Sequence, residues 1–452
     1  METSRSKVVK VSDTLTLGLQ EDVLLEILSY LPVKSLLRFR CVSQEWYALT
    51  KSPYFISKHL VHRSRCSNPH HPCLLFLSRL AGSSENNFKP LLGFSLLRDE
   101  ETTFLRLPFW NLTSQRRDGL WLVGSSNGLV CCVLLIGIKN DKNRTTEGEE
   151  DNATVFQQLI VVWNPATERF RFLPKPNNNI TLDQDEEEDI LRVKDNSLSC
   201  PLIGFDFVHD HDITEYKLVR VFHHDSDDPY DHGKVLTTFR AQVFVQITNS
   251  WRQAKNELGF PSCENSFAST SITLNGVLYW KVQRAGDECC VLSFNLREEV
   301  FNVIQLPIDL RNHDDWGGLQ LYSWRNSPAT VALDYSANDD LNAALWVMST
   351  DQESKRSCKN VAQIQNPAWT RQFRFKYLVI SEATRLLGSW KDQFLFASDK
   401  SDEVFDAAAD NIVPQDLFSY DPKSETKRKI LKDGERIKFC GGVNYVESLV
   451  PV

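Results

Sequence analysis

The sequence predicts an α+β multidomain chain, in which a small three-helix module precedes an all-β propeller of six or seven blades. Two observations lead to this prediction. Between residues 19 and 49, apolar residues recur at helical spacing. After about residue 70, short apolar runs alternate with turn sequences along the remaining chain. The expected units are a disordered stretch at 1–16, the helical module at 17–60, a linker at 61–72 and the β-domain at 73–448.

The chain has the composition of an ordinary globular protein, with 42% hydrophobic and 24% charged residues among 452. It carries 51 Lys and Arg against 59 Asp and Glu, so its formal net charge is −8. A mildly acidic chain does not favour nucleic-acid binding, which requires a basic surface. No apolar run reaches the roughly eighteen residues that span a membrane, and the N-terminal stretch is too polar for a signal peptide. We therefore expect a location in the cytoplasm or nucleus, reduced cysteines, and neither a nucleic-acid nor a membrane partner.

The first predicted helix starts at Glu21 and ends before Pro32, because proline disfavours helical geometry in the residue that precedes it. Its apolar residues share one helical face. They are Val23, Leu24, Ile27, Leu28 and Leu31.

Two more helices are predicted after Pro32. The second should start near Val33, and Ser43 fits the N-cap position of a third short helix. The apolar residues of this part are Leu36, Leu37, Cys41, Val42, Trp46 and Leu49. Three helices in about forty residues cannot bury all of their apolar faces within the module.

The β-domain shows hairpin signals and a weak internal repeat. Asn127-Gly128 and Asn275-Gly276 each lie between apolar runs, where this dipeptide indicates a two-residue hairpin turn. Three segments repeat one order of aromatic residue, Asn or Asp turn and second strand, starting at Trp163, Phe294 and Tyr420. Their spacing of roughly 130 residues accommodates two or three units of about 40 to 65 residues, the size of a propeller blade. Repeated hairpins over this length favour a propeller over a sandwich.

The helical region at 19–54 resembles the F-box of plant F-box proteins. The residues that match the pattern of this family are Asp22, Glu26, Ile27, Leu28, Leu31, Pro32, Val33, Lys34, Ser35, Leu36, Leu37, Arg38, Phe39, Arg40, Val42 and Trp46. The β-domain resembles the F-box-associated, kelch-like domain of the same families. Its matching residues are Asn127-Gly128-Leu129, Trp163-Asn164-Pro165-Ala166-Thr167, Gly204-Phe205, Tyr216-Lys217-Leu218-Val219, Ser250-Trp251-Arg252, Asn275-Gly276 and Tyr279-Trp280.

This resemblance implies a substrate-recognition subunit of an SCF-type ubiquitin ligase. The F-box would bind a Skp-type adaptor, and through it a cullin, while the propeller captures a protein substrate for ubiquitination and proteasomal degradation. Such a receptor needs no catalytic residue, cofactor or metal of its own. The residues expected to contact the adaptor are Leu19, Gln20, Asp22, Ile27, Leu28, Leu31, Leu36, Leu37, Cys41, Val42 and Trp46.

One position departs from the family pattern. Gln20 stands where the family usually has proline, which suits the first turn of a helix because its missing N–H has no partner there. We expect adaptor binding to be weaker than in members with proline. A second interpretation also remains open, in which the apolar faces of the helices pack on the chain's own β-domain and the protein is a propeller scaffold without ligase activity.

A catalytic function has little support in the sequence, since we find neither a P-loop nor a nucleotide-binding glycine fingerprint. For substrate capture we favour the segment Arg311 to Ser327, which combines aromatic residues with charge. The candidate contact residues are Trp316, Tyr322, Trp324 and Arg325. The alternative is that these tryptophans lie in the core of a blade.

Two further clusters near the end of the helical module have alternative explanations. His59, His62, Cys66, His70, His71 and Cys73 are zinc-competent side chains. Their spacing matches no zinc finger, and a polar linker is the competing interpretation. The basic residues Lys34, Arg38, Arg40, Lys51, Lys58, Arg63 and Arg65 could form a nucleic-acid patch. We favour a solvated helix face that complements an acidic adaptor.

Overall fold

The computed structural model describes residues 21–66, 73–80, 91–98, 101–109, 119–138, 154–176, 190–193, 202–210, 213–227, 235–261, 271–284, 288–307, 310, 320–334, 342–349, 364–365, 367–376, 385–390, 392–399, 415–430 and 437–452. Every structural statement below concerns these residues. The part described consists of helices at the N-terminal end followed by strands.

The helical module contains four helices in its described residues: α1 (Glu21–Ser29), α2 (Val33–Phe39), α3 (Gln44–Lys51) and α4 (Pro53–Cys66). The predicted start at Val33 is confirmed, and so is the N-cap, because the Ser43 hydroxyl accepts a hydrogen bond from the Trp46 N–H at 3.2 Å. The sequence analysis predicted three helices and did not separate α4. This helix continues to Cys66, so residues 61–66 of the expected linker are helical. None of the described helices is long and apolar enough to cross a membrane.

The strands form six sheets in the described residues, each a blade of a propeller. Blade 1 contains β1 (Cys73–Leu80), β2 (Leu91–Arg98) and β3 (Glu101–Leu105). Blade 2 contains β4 (Gly119–Ser126), β5 (Leu129–Ile138), β6 (Thr154–Asn164) and β7 (Arg169–Phe172), with β8 (Ile190–Val193) paired to β6. Blade 3 contains β9 (Leu202–Asp210), β10 (Ile213–Asp227), β11 (Val235–Val245) and β12 (Ser250–Gln253), with β13 (Leu258–Pro261) paired to β11.

Blades 4 to 6 follow the same plan. Blade 4 contains β14 (Ile272–Leu274), β15 (Val277–Arg284), β16 (Glu288–Asn295) and β17 (Val300–Gln305). Blade 5 contains β18 (Gln320–Trp324), β19 (Ser327–Asp334), β20 (Asn342–Met348) and β22 (Trp369–Lys376), while β21 (Ile364–Gln365) pairs in parallel with β17 of blade 4. Blade 6 contains β23 (Arg385–Trp390), β24 (Gln393–Asp399), β25 (Gln415–Asp421) and β26 (Thr426–Lys429). The expectation of a propeller is confirmed, and the blade number is six.

Blade 1 is completed from the opposite end of the chain. The last strand, β27 (Ile437–Tyr445), pairs antiparallel with β1, so that Tyr445 lies opposite Cys73 and Ile437 opposite Leu80. This pairing joins the two ends of the β-domain in one sheet. It closes the ring of blades, because β27 completes the sheet that contains β1.

The three repeated segments are equivalent hairpins of alternate blades. They join the third and fourth strands of blades 2, 4 and 6, so each predicted interval holds two blades. The side-chain oxygens of Asn164, Asn295 and Asp421 accept hydrogen bonds from backbone N–H groups two residues further on, at 3.0, 2.9 and 2.9 Å. Four residues later, Glu168, Glu299 and Glu425 have φ of 58°, 57° and 54°. The Asx side chain therefore stabilises the same turn in each repeat.

Both Asn-Gly turns are confirmed as hairpins, and they join the first two strands of blades 2 and 4. Asn127 and Gly128 have φ of 49° and 81°, the conformation that a two-residue turn of this type requires. In a four-stranded meander, the first and third turns emerge at the same end of the strands. The Asn127-Gly128 turn and the 164–168 turn thus lie on one face of the propeller, which we call the module face because the helical module contacts it.

The hydrophobic core lies between neighbouring blades. Trp280 of blade 4 has no exposed surface, and its indole N–H donates to the Ile203 carbonyl of blade 3 at 3.2 Å. Its cluster combines strands of these two blades, including Val219, Val243 and Leu292. Each sheet therefore buries its apolar residues against the next sheet.

Candidate functional site

The helical module exposes more large apolar side chains than the propeller does in the described part of the chain. Seven of the ten exposed large hydrophobic residues lie in the module. Val23, Ile27 and Tyr30 follow one stripe of α1 and are 43%, 48% and 52% exposed. The other four are Val42, Tyr47, Tyr54 and Val61. A concentration of uncovered apolar surface on a small unit is typical of a binding site.

The structure separates the predicted adaptor-contact residues into three groups. Asp22, Ile27, Cys41 and Val42 are exposed, and Val42 reaches 68%. Those that are partly buried in the module are Leu31, Leu37 and Trp46. Leu28 and Leu36 are 2% and 0% exposed. Leu19 and Gln20 lie outside the described residues, so the expectation about Gln20 stays a prediction.

Leu28 and Leu36, which were expected to contact the adaptor, are buried within the chain. Both belong to the core of the module, with Leu24, Leu25, Val33 and Phe55. Phe55 comes from α4, and Leu449 from the C-terminal end of the chain completes the cluster. The three-helix scheme lacked these two partners, which is why it left too much apolar surface unburied.

Three exposed residues were not among the predicted contacts. They are Val23, Tyr30 and Tyr47. The spacing of Val23, Ile27 and Tyr30 along α1, at four and three residues, is the signal that could have identified the stripe.

Polar contacts fix α1 against α4. The Glu26 carboxylate accepts from Lys58 at 2.7 Å and lies 3.2 Å from the His62 ring nitrogen. The hydrogen bond from Lys58 lowers the pKa of Glu26, and the same bond raises the pKa of Lys58. The Tyr30 and His62 rings are 4.5 Å apart. The exposed stripe of α1 is therefore presented by a helix with a defined orientation.

Several basic residues of the module have partners within the chain. Lys58 pairs with Glu26, and Arg63 pairs with Glu447 at 3.3 Å. Arg40 donates to the Thr50 hydroxyl at 3.1 Å, and Lys51 donates to the Tyr47 hydroxyl at 2.7 Å. These contacts give Lys58, Arg63, Arg40 and Lys51 structural roles within the chain.

The histidines of the possible zinc cluster serve packing in the described part of the chain. His59 is fully buried, and its Nε2 lies 2.9 Å from the Leu31 carbonyl oxygen, so the neutral ring donates there. Burial lowers the pKa of His59, which favours this neutral form. Among the described residues, no group of three or more His, Cys, Asp or Glu side chains could hold a metal ion. His70 and His71 lie outside the described residues.

One side of the module packs on the propeller. Ile56 and Leu60 of α4 contact a cluster that includes Phe205 and Phe244 of blade 3. Ala166, in the third turn of blade 2, contacts the module core. The module thus has one side against its own β-domain, as the second interpretation expected, while the stripe of α1 remains exposed.

The predicted substrate-contact residues lie in different environments. Trp324 is 4% exposed and stacks on Phe394 at 4.9 Å between ring centroids, so it is a core residue at the end of β18. Its proposed place on a recognition loop is wrong for that reason. Tyr322 is partly buried and donates to the Leu386 carbonyl at 3.3 Å. Arg325 is exposed in the turn after β18 and pairs with Asp392 at 2.7 Å. Trp316 lies outside the described residues.

Comparison with known proteins agrees with this architecture. A family profile described as an F-box associated beta propeller domain matches residues 114–435, and one described as an F-box domain matches residues 17–58. The F-box protein At3g52320 of Arabidopsis thaliana is 28% identical over 64% of this chain and 60% of its own length. F-box only protein 8 of the same plant is 27% identical over 64% of this chain and 79% of its own length, and F-box protein At5g49610 is 25% identical over 73% and 74%.

The matched region spans about 60% of the length of the first of these relatives. A solved structure of a post-proline cleaving enzyme from Rickettsia typhi is 9% identical, with a TM-score of 0.32 over 94% of this chain and 60% of that one, a likeness too weak to support any argument. The propeller profile, in contrast, covers more than half of the chain. With its N-terminal F-box and six-bladed propeller, the chain belongs to the family of F-box proteins with an F-box associated β-propeller domain.

Proposed function

We propose that this F-box protein is the substrate-recognition subunit of an SCF-type ubiquitin ligase. Its helical module binds a Skp-type adaptor, which links it to a cullin, and its propeller captures a protein substrate for ubiquitination and degradation. The observation that carries this proposal is the exposed apolar stripe of α1, on a module whose other side is already packed on the propeller. The complex acts in the cytoplasm or the nucleus.

The apolar stripe needs a partner on energetic grounds. Covering apolar surface contributes about 25 cal/mol per Å², so side chains such as Ile27 and Val42 gain by contact with an apolar surface on another protein. The buried residues of the module hold this surface in place, and the exposed ones make the contact. The adaptor is thus recognised by Ile27, Val42 and their exposed neighbours rather than by Leu28 and Leu36.

The function requires no catalytic group in this chain. A receptor that holds its substrate beside the conjugating enzyme raises the effective concentration of the substrate's lysines. Burial raises the pKa of the Cys131 and Cys132 thiols. Because the thiolate is the nucleophilic form, these two cysteines are poorly suited to act as nucleophiles.

Charge substitution of exposed apolar residues tests the proposal. Ile27→Asp and Val42→Asp should abolish co-purification of a Skp-type adaptor, because each places a carboxylate in the apolar contact. Ile247→Asp is the matched control, since Ile247 is 63% exposed on the propeller and should tolerate the same change. All three substitutions are at exposed positions and should leave the fold intact.

If both module variants bind the adaptor as well as the native protein, the ligase proposal fails. The alternative function, a propeller scaffold without ligase activity, is favoured by the packing of Ile56 and Leu60 on a propeller cluster formed by blades 2 and 3. It predicts that even the native chain captures no adaptor. The native protein and the Ile247→Asp control therefore decide between the two functions in the same experiment.

A further inference from the structure

The last seven residues, Val446–Val452, lie between the helical module and the propeller without forming a helix or a strand. We propose that this segment, which we call the clasp, fixes the orientation of the module on the propeller. Its relevance to ubiquitin transfer rests on the proposed function, because a substrate receptor must hold its adaptor-binding and substrate-binding surfaces at a set distance. The clasp itself is inferred from contacts that involve neither partner.

Adjacent side chains of the clasp are buried in different units. Leu449 is 3% exposed and completes the core of the module, beside Leu36 and Phe55. Val450 is 9% exposed and belongs to the propeller cluster that contains Phe205 and Tyr216. The clasp is thus embedded in two hydrophobic cores at once. Separating the module from the propeller would expose one of these side chains to water.

Asn164 holds the backbone of the clasp. Its side-chain amide donates to the carbonyl oxygens of Ser448 and Val450, at 3.1 and 2.8 Å. The oxygen of the same side chain accepts from the backbone N–H groups of Ala166 and Thr167. Asn164 is fully buried, so these hydrogen bonds form where no water can replace them. One side chain therefore joins the clasp to the turn that contacts the module.

The Asn127-Gly128 turn supports the clasp from a second side. The Ser448 hydroxyl donates to the Asn127 carbonyl at 2.6 Å. Gly128 has a φ of 81°, and a Cβ atom there would collide with the Ser448 side chain and the Val446 carbonyl oxygen. The turn thus requires glycine both for its conformation and for the close approach of the clasp.

Glu447 adds an ionic contact to both units. Its carboxylate accepts from Arg63 of α4 at 3.3 Å and from Arg98 of blade 1 at 2.6 Å. The Glu447 side chain is 19% exposed and that of Arg98 is 39% exposed, so solvent screens this pair in part. Three successive residues, Glu447, Ser448 and Leu449, therefore contact blade 1, blade 2 and the module.

The distance between the two units tests this inference directly. Two spin labels carried by non-natural amino acids at exposed Lys51 and Lys423 would report the distance between the module and blade 6. The native chain should give a single narrow distance peak. Asn164→Ala and Leu449→Glu should replace this peak by a broad distribution, because the module loses its fixed orientation.

Two variants serve as controls. Asn295→Ala removes the equivalent turn hydrogen bonds of blade 4, which come from the backbone N–H groups of Arg297 and Glu298. Because these bonds do not involve the clasp, this variant should keep the narrow peak. Leu449→Met preserves the apolar volume and should keep it too. A narrow peak in Asn164→Ala would overturn the inference, whatever Leu449→Glu shows. Asn164 lies outside the module, so its variant decides the matter even if Leu449→Glu unfolds the helices.

The distance measurement tests the clasp independently of the proposed ligase function. Neither adaptor nor substrate is present when the distance is recorded. A broad distribution in Asn164→Ala supports the clasp even if no adaptor binds the native chain. A narrow distribution refutes it even if the adaptor binds as proposed.

Discussion

The guanidinium of Arg252, in the fourth strand of blade 3, forms an ion pair with the carboxylate of Glu299, in the third turn of blade 4. The Nη1 group of Arg252 lies 2.6 Å from Oε2 of Glu299, and its Nη2 group contacts Oε1. Lys217 adds a contact at 3.4 Å to the same carboxylate and donates to the Leu296 carbonyl at 3.2 Å. Glu299 is 7% exposed and has positive φ, so a buried carboxylate at the tip of one blade is neutralised by the preceding blade.

The same relationship recurs between blades 2 and 3. Arg171 donates a hydrogen bond to the side-chain oxygen of Asn249. Asn249 occupies the same position in the third turn of blade 3 as Glu299 does in blade 4, and it also has positive φ, at 49°. Arg171 and Arg252 each follow the positive-φ residue of their own blade by three positions. The turn of one blade is therefore tied to the fourth strand of the blade before it. These ties fix the relative positions of the blades that carry the module face.

Removing the Glu299 charge should weaken the propeller. Glu299→Gln leaves the buried Lys217 without its counter-ion, and we expect a loss of about 1–3 kcal/mol in the free energy of unfolding. The loss of the Arg252 pair adds little to this value, because Arg252 is half exposed and solvent screens its charge. Glu425→Gln changes the exposed residue at the equivalent position of blade 6 and should alter stability by less than about 0.5 kcal/mol. Denaturant unfolding of both variants checks the difference, and equal losses would contradict the pairing argument.

Acidification should destabilise the helical module, because it protonates the buried His59. Burial lowers the pKa of His59 below its usual 6.5, although the bond to the Leu31 carbonyl and the charge of Glu447 oppose this shift. The folded module thus prefers the neutral ring. The resulting stability is fully present above the unfolded-state pKa and is lost as the pH falls through the lower pKa of the folded state. Hydrogen exchange of α1 and α4, corrected for intrinsic rates, should accelerate as the pH falls below the usual histidine pKa of 6.5.

The variant His59→Gln checks the assignment. Its amide can still donate to the Leu31 carbonyl, but it does not titrate in this range. The acid-induced acceleration of exchange should therefore be absent or much smaller in this variant. An unchanged pH dependence would mean that another group titrates in the module.

The sequence predicted features that depend on neighbouring residues. Pro32 marked the boundary between α1 and α2, and Ser43 marked the start of α3, because each acts within one turn of a helix. Asn127-Gly128 and Asn275-Gly276 marked hairpins for the same local reason. The repeat at Trp163, Phe294 and Tyr420 was recognisable because each Asx side chain bonds within its own turn, although it left two or three blades open for each interval.

Features that depend on distant residues were missed. The pairing of β27 with β1 closes the ring, but it joins opposite ends of the β-domain and has no local sequence signal. Leu28 and Leu36 were assigned to the surface because their covering residue, Leu449, comes from the other end of the chain. Trp324 was assigned to a loop because its stacking partner, Phe394, belongs to the next blade. Helical or strand periodicity shows which side chains share a face, but not which segment covers that face.

Leu36→Ala should destabilise the module much more than Ile27→Ala does. Leu36→Ala removes a fully buried side chain and should destabilise the module by about 2–4 kcal/mol. Ile27→Ala changes a side chain that is 48% exposed and should cost less than about 0.5 kcal/mol. Hydrogen exchange of α1 to α4 measures both effects. A stable Leu36→Ala variant would show that the module core does not depend on this residue.

Trp324 and Arg325 test the assignment of the segment after β18. Trp324→Ala should lower the free energy of unfolding by about 3–5 kcal/mol, because it opens a cavity between blades 5 and 6 beside Phe394 and Phe373. Arg325→Ala breaks only an exposed pair with Asp392 and should cost about 0–1 kcal/mol. Unfolding in denaturant gives both values. With the fold intact, Arg325→Ala can then be tested for substrate capture, whereas a loss of capture in Trp324→Ala would report damage to the propeller. If Trp324→Ala proves as stable as the native chain, the tryptophan is not a core residue, and its role in recognition is open again.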